Sequence, residues 1–168
     1  MIDITKRVKI DVSAARVWEV LADFGNVKPW GPTIIESYIA EKANKKQRVG
    51  TTRVLKYSSK KETEEVVTAW QERKGFTVEF PRSGGAIKSY RQVWALEGNK
   101  NEGIVTVNLR SETKWSFIGR FLEIVMFKKH FSRELTLALA GLKHYAETGE
   151  EIDSKETKLP IRSVEFKR

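Results

Sequence analysis

From Gly119 to Thr148 the chain runs without a proline, and its apolar residues recur three or four apart: Phe121, Ile124, Val125, Phe131, Leu135, Ala138, Leu142 and Tyr145. That spacing keeps one face of an α-helix apolar along its whole length, ~45 Å at 1.5 Å per residue. Gly149 follows where a helix C-cap is needed. A helix this long cannot leave such a face in water, so the rest of the chain has to cover it.

What precedes the helix is strand-like almost throughout. Thr5–Val12 alternates, with Val8, Ile10 and Val12 on one side and Arg7, Lys9 and Asp11 on the other, the pattern of a half-buried strand. Ser13 reads as the N-cap of a short helix whose apolar stripe is Val17, Trp18, Val20 and Leu21. Gly25-Asn26 ends it, and Lys28-Pro29-Trp30-Gly31-Pro32 leaves room only for a short second helical turn. Six strands are predicted next, over Thr33–Lys42, Arg48–Tyr57, Glu62–Arg73, Phe76–Phe80, Lys88–Glu97 and Gly103–Trp115.

Short turns between consecutive strands make an antiparallel meander, which twists and curves. Only the C-terminal helix is large enough to cover its concave face. The predicted fold is therefore α+β: a curved antiparallel sheet of about seven strands wrapped around a long C-terminal helix, with two short helices after the first strand. Residues 1–149 form this domain. The tail 150–168 is polar except near Leu159, Ile161, Val164 and Phe166, and either stays loose or adds a strand.

Composition removes several function classes. The chain has 168 residues, enough for one domain, and five Trp, eight Phe and four Tyr supply a core. No run of eighteen apolar residues marks a transmembrane helix, and the N-terminus lacks the apolar stretch of a signal peptide. With no cysteine, disulfides, thiolate metal sites and cysteine nucleophiles are excluded together. A cytoplasmic location is expected, with no cofactor.

The formal charge of +9 raises nucleic acid as a partner, so its distribution matters. Residues 43–61 hold seven basic residues (Lys45, Lys46, Arg48, Arg53, Lys56, Lys60 and Lys61) and no acid. The following stretch, Glu62–Arg73, is net negative. Aromatic residues for base stacking are nearly absent from the basic window, which contains only Tyr57. Nucleic acid is disfavoured. An anionic membrane surface stays open as a partner, and so does a plain solvated hairpin whose lysines discourage edge pairing.

The run Val8-Lys9-Ile10-Asp11-Val12-Ser13-Ala14-Ala15-Arg16-Val17-Trp18-Glu19-Val20-Leu21-Ala22-Asp23-Phe24, followed by Trp30-Gly31-Pro32, resembles the START/birch-pollen-allergen superfamily (SRPBCC) with its helix-grip fold. Val49-Gly50-Thr51-Thr52-Arg53 and the later Glu64-Glu65 resemble its polyketide cyclase/dehydrase and lipid-transport branch. The resemblance covers roughly residues 5–148. It implies a cavity between sheet and helix for an apolar small molecule such as a lipid, quinone or polyketide, and a minority of members are cyclases or dehydratases.

Candidate ligand-binding residues are Trp70, Phe80, Tyr90, Trp94, Leu109, Phe117, Phe121 and Val125; the competing reading is that such aromatics only fill a core. Polar candidates for acid–base work are Arg53, Glu65, Tyr90 and Arg110, and no catalytic signature joins them. The spacing lets Arg53 and Glu65 face each other across the 57–61 turn. On the concave face they would orient a polar ligand group, but the preferred placement is the surface or the cavity rim, a surface pair contributing at most ~1 kcal/mol.

Ser83-Gly84-Gly85 reads as an ordinary loop or a flap over the cavity mouth, and lacks the Gly-Lys-Ser/Thr of a phosphate cradle. His130 and His144 share a helix face, with Glu134 near His130; they are expected to be solvated or at the core edge, with no metal site. Three functions follow as alternatives: binding or transport of a hydrophobic small molecule, a cyclase/dehydratase-like enzyme, or a ligand-free interaction module, co-chaperone-like or membrane-peripheral, using the basic hairpin.

Overall fold

Eight strands join in one antiparallel sheet in the computed structural model, which describes residues 1–41, 48–81, 87–113, 120–153 and 158–166. The elements are β1 (Ile2–Ile10), α1 (Ala14–Ala22), β2 (Ile34–Glu41), β3 (Thr52–Tyr57), β4 (Glu62–Gln71), β5 (Gly75–Glu79), β6 (Ile87–Gly98), β7 (Gly103–Thr113), α2 (Arg120–Thr148) and β8 (Val164–Phe166). Their spatial order is β2-β3-β4-β5-β6-β7-β1-β8. Strands 2 to 7 thus form the predicted meander. β1 closes it by pairing with β7, Ile4 opposite Leu109 and Val8 opposite Val105.

The sheet grips α2. Leu135, Leu139, Leu142 and Ala146, spaced four, three and four apart, share one buried core with Ile2, Ile4, Val8 and Ile10 of β1. α1 starts as its sequence dictates: the Ser13 hydroxyl accepts a hydrogen bond from the Arg16 N–H at 3.1 Å. The end of α2 is equally legible, with Gly149 at φ 74° and its N–H on the Tyr145 carbonyl at 2.8 Å.

Three details sharpen the sequence reading. The second short helix is a single turn, closed by the Gly31 N–H on the Val27 carbonyl at 2.8 Å, because Pro29 within it and Pro32 directly after it give it no room to propagate. The tail contributes an eighth strand, β8, which pairs with β1 and covers its edge. β1 begins at Ile2, earlier than expected, and Lys6, in phase with Val8 and Ile10, is buried on its inward face. There Nζ donates to Thr136 Oγ1 at 2.7 Å, beneath the Phe166 ring at 3.6 Å, and burial pushes the ammonium pKa down.

One glycine fixes how closely α2 approaches. A Cβ on Gly141 would stand 2.1 Å from the Trp30 carbonyl oxygen. A side chain at that position would hold the helix off the 27–31 turn.

Candidate functional site

Between the sheet and the middle of α2 lies a cavity of about 380 Å³, within the ~300–1,000 Å³ usual for small-molecule sites. Its sheet wall comes from alternate, inward-facing residues: Arg53, Leu55 and Tyr57 of β3, Thr63 and Glu65 of β4, Tyr90, Gln92 and Trp94 of β6, and Leu109 of β7. Phe127, His130, Phe131, Glu134, Leu135 and Ala138 form the helix wall at a three-to-four spacing. Exposed Ser58, Ser59, Lys61 and His130 also line it, so the mouth lies between the β3–β4 turn and the N-terminal half of α2.

The wall is mostly apolar, with two polar groups set into it. One is an ion pair: Arg53 Nε and Nη2 both reach Glu65 Oε2, at 2.8 and 2.6 Å, and each residue is only 3% exposed. Arg53 Nη1 donates to the Phe24 carbonyl at 3.0 Å, and the guanidinium lies 4.2 Å from the Phe24 ring centroid. The preferred surface or rim placement of this pair is therefore wrong. The register pairs Arg53 directly with Glu65, and both share the inward face with Val67, so the strand alternation buries them together. Three of the five guanidinium N–H groups are used in these bonds, and Glu65 Oε1 receives none of them.

The second polar group is a relay along β6. Trp94 Nε1–H donates to Gln92 Oε1 at 2.8 Å, and Gln92 Nε2–H donates to Tyr90 Oη. Tyr90 Oη is thereby an acceptor on one side, and its own proton is free to serve another partner. Burial pushes the Tyr90 phenol well above its ordinary pKa, with the Glu65 carboxylate adding to the effect. Tyr57 is pushed up to about 12, first by burial and then by Glu65. Both phenols stay protonated at neutral pH, as donors. Phe80 stacks on Tyr90 with centroids 3.8 Å apart, nearly parallel at 7°.

Phe80, Tyr90, Trp94 and Leu109, with Arg53 and Glu65, thus stand around one cavity. Trp70 does not. A register shift between Val67 and Ala69 turns it inward opposite Phe76. There it packs at the α1 end against Trp18 (5.2 Å) and Phe24 (6.5 Å), and its Nε1–H, like that of Trp18, donates to Glu72. Arg110 points outward and pairs with Asp3 at 3.0 Å, and Val125 is 49% exposed on the outer side of α2. Phe117 and the Phe121 side chain lie outside the described residues, as does the Ser83-Gly84-Gly85 loop.

The sequence reading missed Trp30, Tyr57, Gln92, Phe127 and Phe131. Gln92 carried a signal, as a polar residue inside the inward series Tyr90, Trp94, Leu96. For α2 the helical stripe was found, but its cavity-facing part lies one to two turns further along than Phe121 and Val125. Trp30 Nε1 is buried with no hydrogen-bond partner among the described residues, which costs about 1–3 kcal/mol.

The basic window is not a uniform rim. Arg53 is buried, Arg48 donates to the Ala22 carbonyl at 2.7 Å and lies over the Trp70 ring, and Lys56 pairs with Glu36 at 2.8 Å. Lys45 and Lys46 lie outside the described residues. His130 is exposed at the mouth, and Glu134 beside it accepts from the Thr33 hydroxyl at 3.0 Å. Among the described residues no cluster of three His, Asp or Glu could hold a metal ion, and no helix is long and apolar enough to cross a membrane.

Residues 1–147 match the model of the family described as polyketide cyclase / dehydrase and lipid transport. The chain belongs to that family. Among solved structures, similar folds include a START superfamily protein from Mycobacterium smegmatis (TM-score 0.69, 18% identity, 86% of this chain and 97% of that one). The Zhui aromatase/cyclase from Streptomyces sp. R1128 gives a TM-score of 0.71 at 14% identity, over 86% and 93% of the two chains. The di-domain ARO/CYC BexL gives 0.68 at 15% identity, over 86% of this chain and 46% of its own. These likenesses show the fold, a helix-grip fold. A comparison with curated proteins finds no match.

Proposed function

We propose that this polyketide cyclase/dehydrase and lipid-transport family member binds a hydrophobic small molecule, lipid-like or polyketide-like, whose single polar end meets the Arg53–Glu65 pair and the Tyr90 hydroxyl. The observation that carries this reading is an ion pair 3% exposed in the wall of an otherwise apolar cavity. Desolvating two charges is expensive, and a packed apolar pair of similar volume is often at least as stable. A ligand with a carbonyl, hydroxyl or carboxyl end gives the pair a use, since two N–H groups of Arg53 donate and Glu65 Oε1 accepts. Apolar burial then supplies most of the affinity, at about 25 cal/mol per Å². Phe80, Tyr90, Trp94 and Leu109 are the sheet-side lining residues, and Phe127 and Phe131 complete it from the helix.

Titration with a fluorescent fatty acid and with a polyphenol tests this reading. The wild-type chain is expected to take up at least one. The double variant Arg53→Met/Glu65→Leu is expected to keep its fold and lose about tenfold in affinity for a carboxyl-ended probe, as one charge-assisted hydrogen bond is worth roughly 1.5–3 kcal/mol. Uptake of neither probe by the wild type would count against it.

A cyclase/dehydratase-like reaction is the second reading. It is favoured by one arrangement: a carboxylate, Glu65, and two phenols held protonated, Tyr57 and Tyr90, share one cavity. The aromatase/cyclase among the similar folds points the same way. Turnover of a poly-β-ketone probe, lost on Glu65→Gln while binding is retained, would establish it.

A further inference from the structure

Around the cavity mouth, the outer side of α2 has a composition that the ligand cavity does not explain. Met126 is 65% exposed and Val125 49% exposed, adjacent on a helix whose other described apolar side chains are buried or half-buried. Lys128, Lys129 and Arg133 are exposed on the same stretch, and across the mouth stand Lys60 and Lys61. None of these five cations forms an ion pair among the described residues, although ten such pairs occur elsewhere. Glu134, the described acid of α2 that lines the cavity, accepts from the Thr33 hydroxyl.

We propose that this face docks on an anionic lipid membrane. Two apolar side chains standing out of a helix, ringed by unpaired lysines, match the boundary between acyl chains and anionic headgroups. Met126 and Val125 enter that boundary while the five cations meet headgroup phosphates and carboxylates. Lysine stems add apolar cover below their charged tips. The two other occupants of such a surface fit less well. A second copy would set five like charges against five across a twofold axis. A single-stranded nucleic acid would need aromatic platforms where this face offers a methionine and a valine. Docking goes beyond the ligand-binding reading and stands without it. If both hold, the mouth faces the bilayer and an apolar ligand passes between membrane and cavity without crossing water.

Flotation of the full chain with vesicles tests the proposal. Vesicles of phosphatidylcholine and phosphatidylserine at 70:30 are expected to carry the protein; pure phosphatidylcholine vesicles are expected to carry little. Raising salt should release it, because exposed charges are screened within about 10 Å at 0.1 M. Lys128→Glu/Lys129→Glu should weaken partitioning at least tenfold, and Met126→Asp should weaken it at salt concentrations that leave the lysines partly screened. All three positions are exposed, so thermal unfolding should be unchanged. Equal partitioning to both vesicle types, no partitioning, or no effect of these variants would overturn the proposal. So would a salt-labile complex with an oligonucleotide in place of vesicle binding, or a dimer that the same substitutions dissolve. Uptake of a fluorescent fatty acid from solution, measured on the same variants, separates the two readings: it should survive loss of docking.

Discussion

Arg53 and Glu65 carry the most energetic risk in the molecule. Each alone would be an unpaired charge in an apolar wall, so Arg53→Ala or Glu65→Ala is expected to cost about 3–5 kcal/mol in urea unfolding. The Arg53→Met/Glu65→Leu pair should cost far less, leaving a strongly non-additive cycle. A near-additive cycle would mean that the two charges do not depend on each other. Tyr57 makes a prediction of the opposite pH sense to acid unfolding. Its phenol pKa is raised from 10.0 to about 12 in the folded state, so the protonated form is favoured by folding. That contribution is fully present below pH 10 and is lost as pH rises from 10 to about 12. A spectrophotometric titration should find the tyrosinates of both Tyr57 and Tyr90 forming late, and Tyr57→Phe should remove one of the two late steps. Of the pair, the sequence showed that the two residues face each other, from the strand–turn–strand spacing. It did not show which face of the sheet they take, because that depends on what α2 covers.

At the scale of elements, α2 decides the geometry of the site. Its closeness to the 27–31 turn rests on Gly141, where a Cβ would meet the Trp30 carbonyl oxygen at 2.1 Å. Gly141→Ala is expected to destabilise the fold by about 1–3 kcal/mol despite alanine's better helix propensity, with a shift in tryptophan fluorescence as Trp30 moves. A stabilised variant with unchanged fluorescence would contradict that packing. The strands, both helix caps and the order of elements were readable from period-2 and period-3.6 patterns, since burial of one face imposes them locally. Trp70 shows where that reasoning stops. An irregularity between Val67 and Ala69 changes which way it faces and which neighbours it meets, and nothing in the alternation of β4 announces it. The pairing of β8 with β1 was equally hidden: three residues of strand give too short a pattern to distinguish from loop.

For the whole molecule, the fold follows from a sheet that must cover one long helix, and the cavity is what remains where that covering is incomplete. Helix residues Leu135, Leu139 and Leu142 meet the sheet in a packed core. Further toward the N-terminus of α2, Phe127 and Phe131 line the cavity, with the Phe131 ring centroid 5.8 Å from that of Tyr90. The central claim is that this space holds a hydrophobic molecule with one polar end. Native mass spectrometry of the purified chain, followed by extraction and identification of what it releases, tests that claim most directly. The expected result is a fraction of the protein heavier by one small apolar molecule bearing a carbonyl, hydroxyl or carboxyl group, and a smaller fraction in Arg53→Met/Glu65→Leu. A chain that emerges empty, and stays empty after incubation with fatty acids and polyphenols, would contradict it.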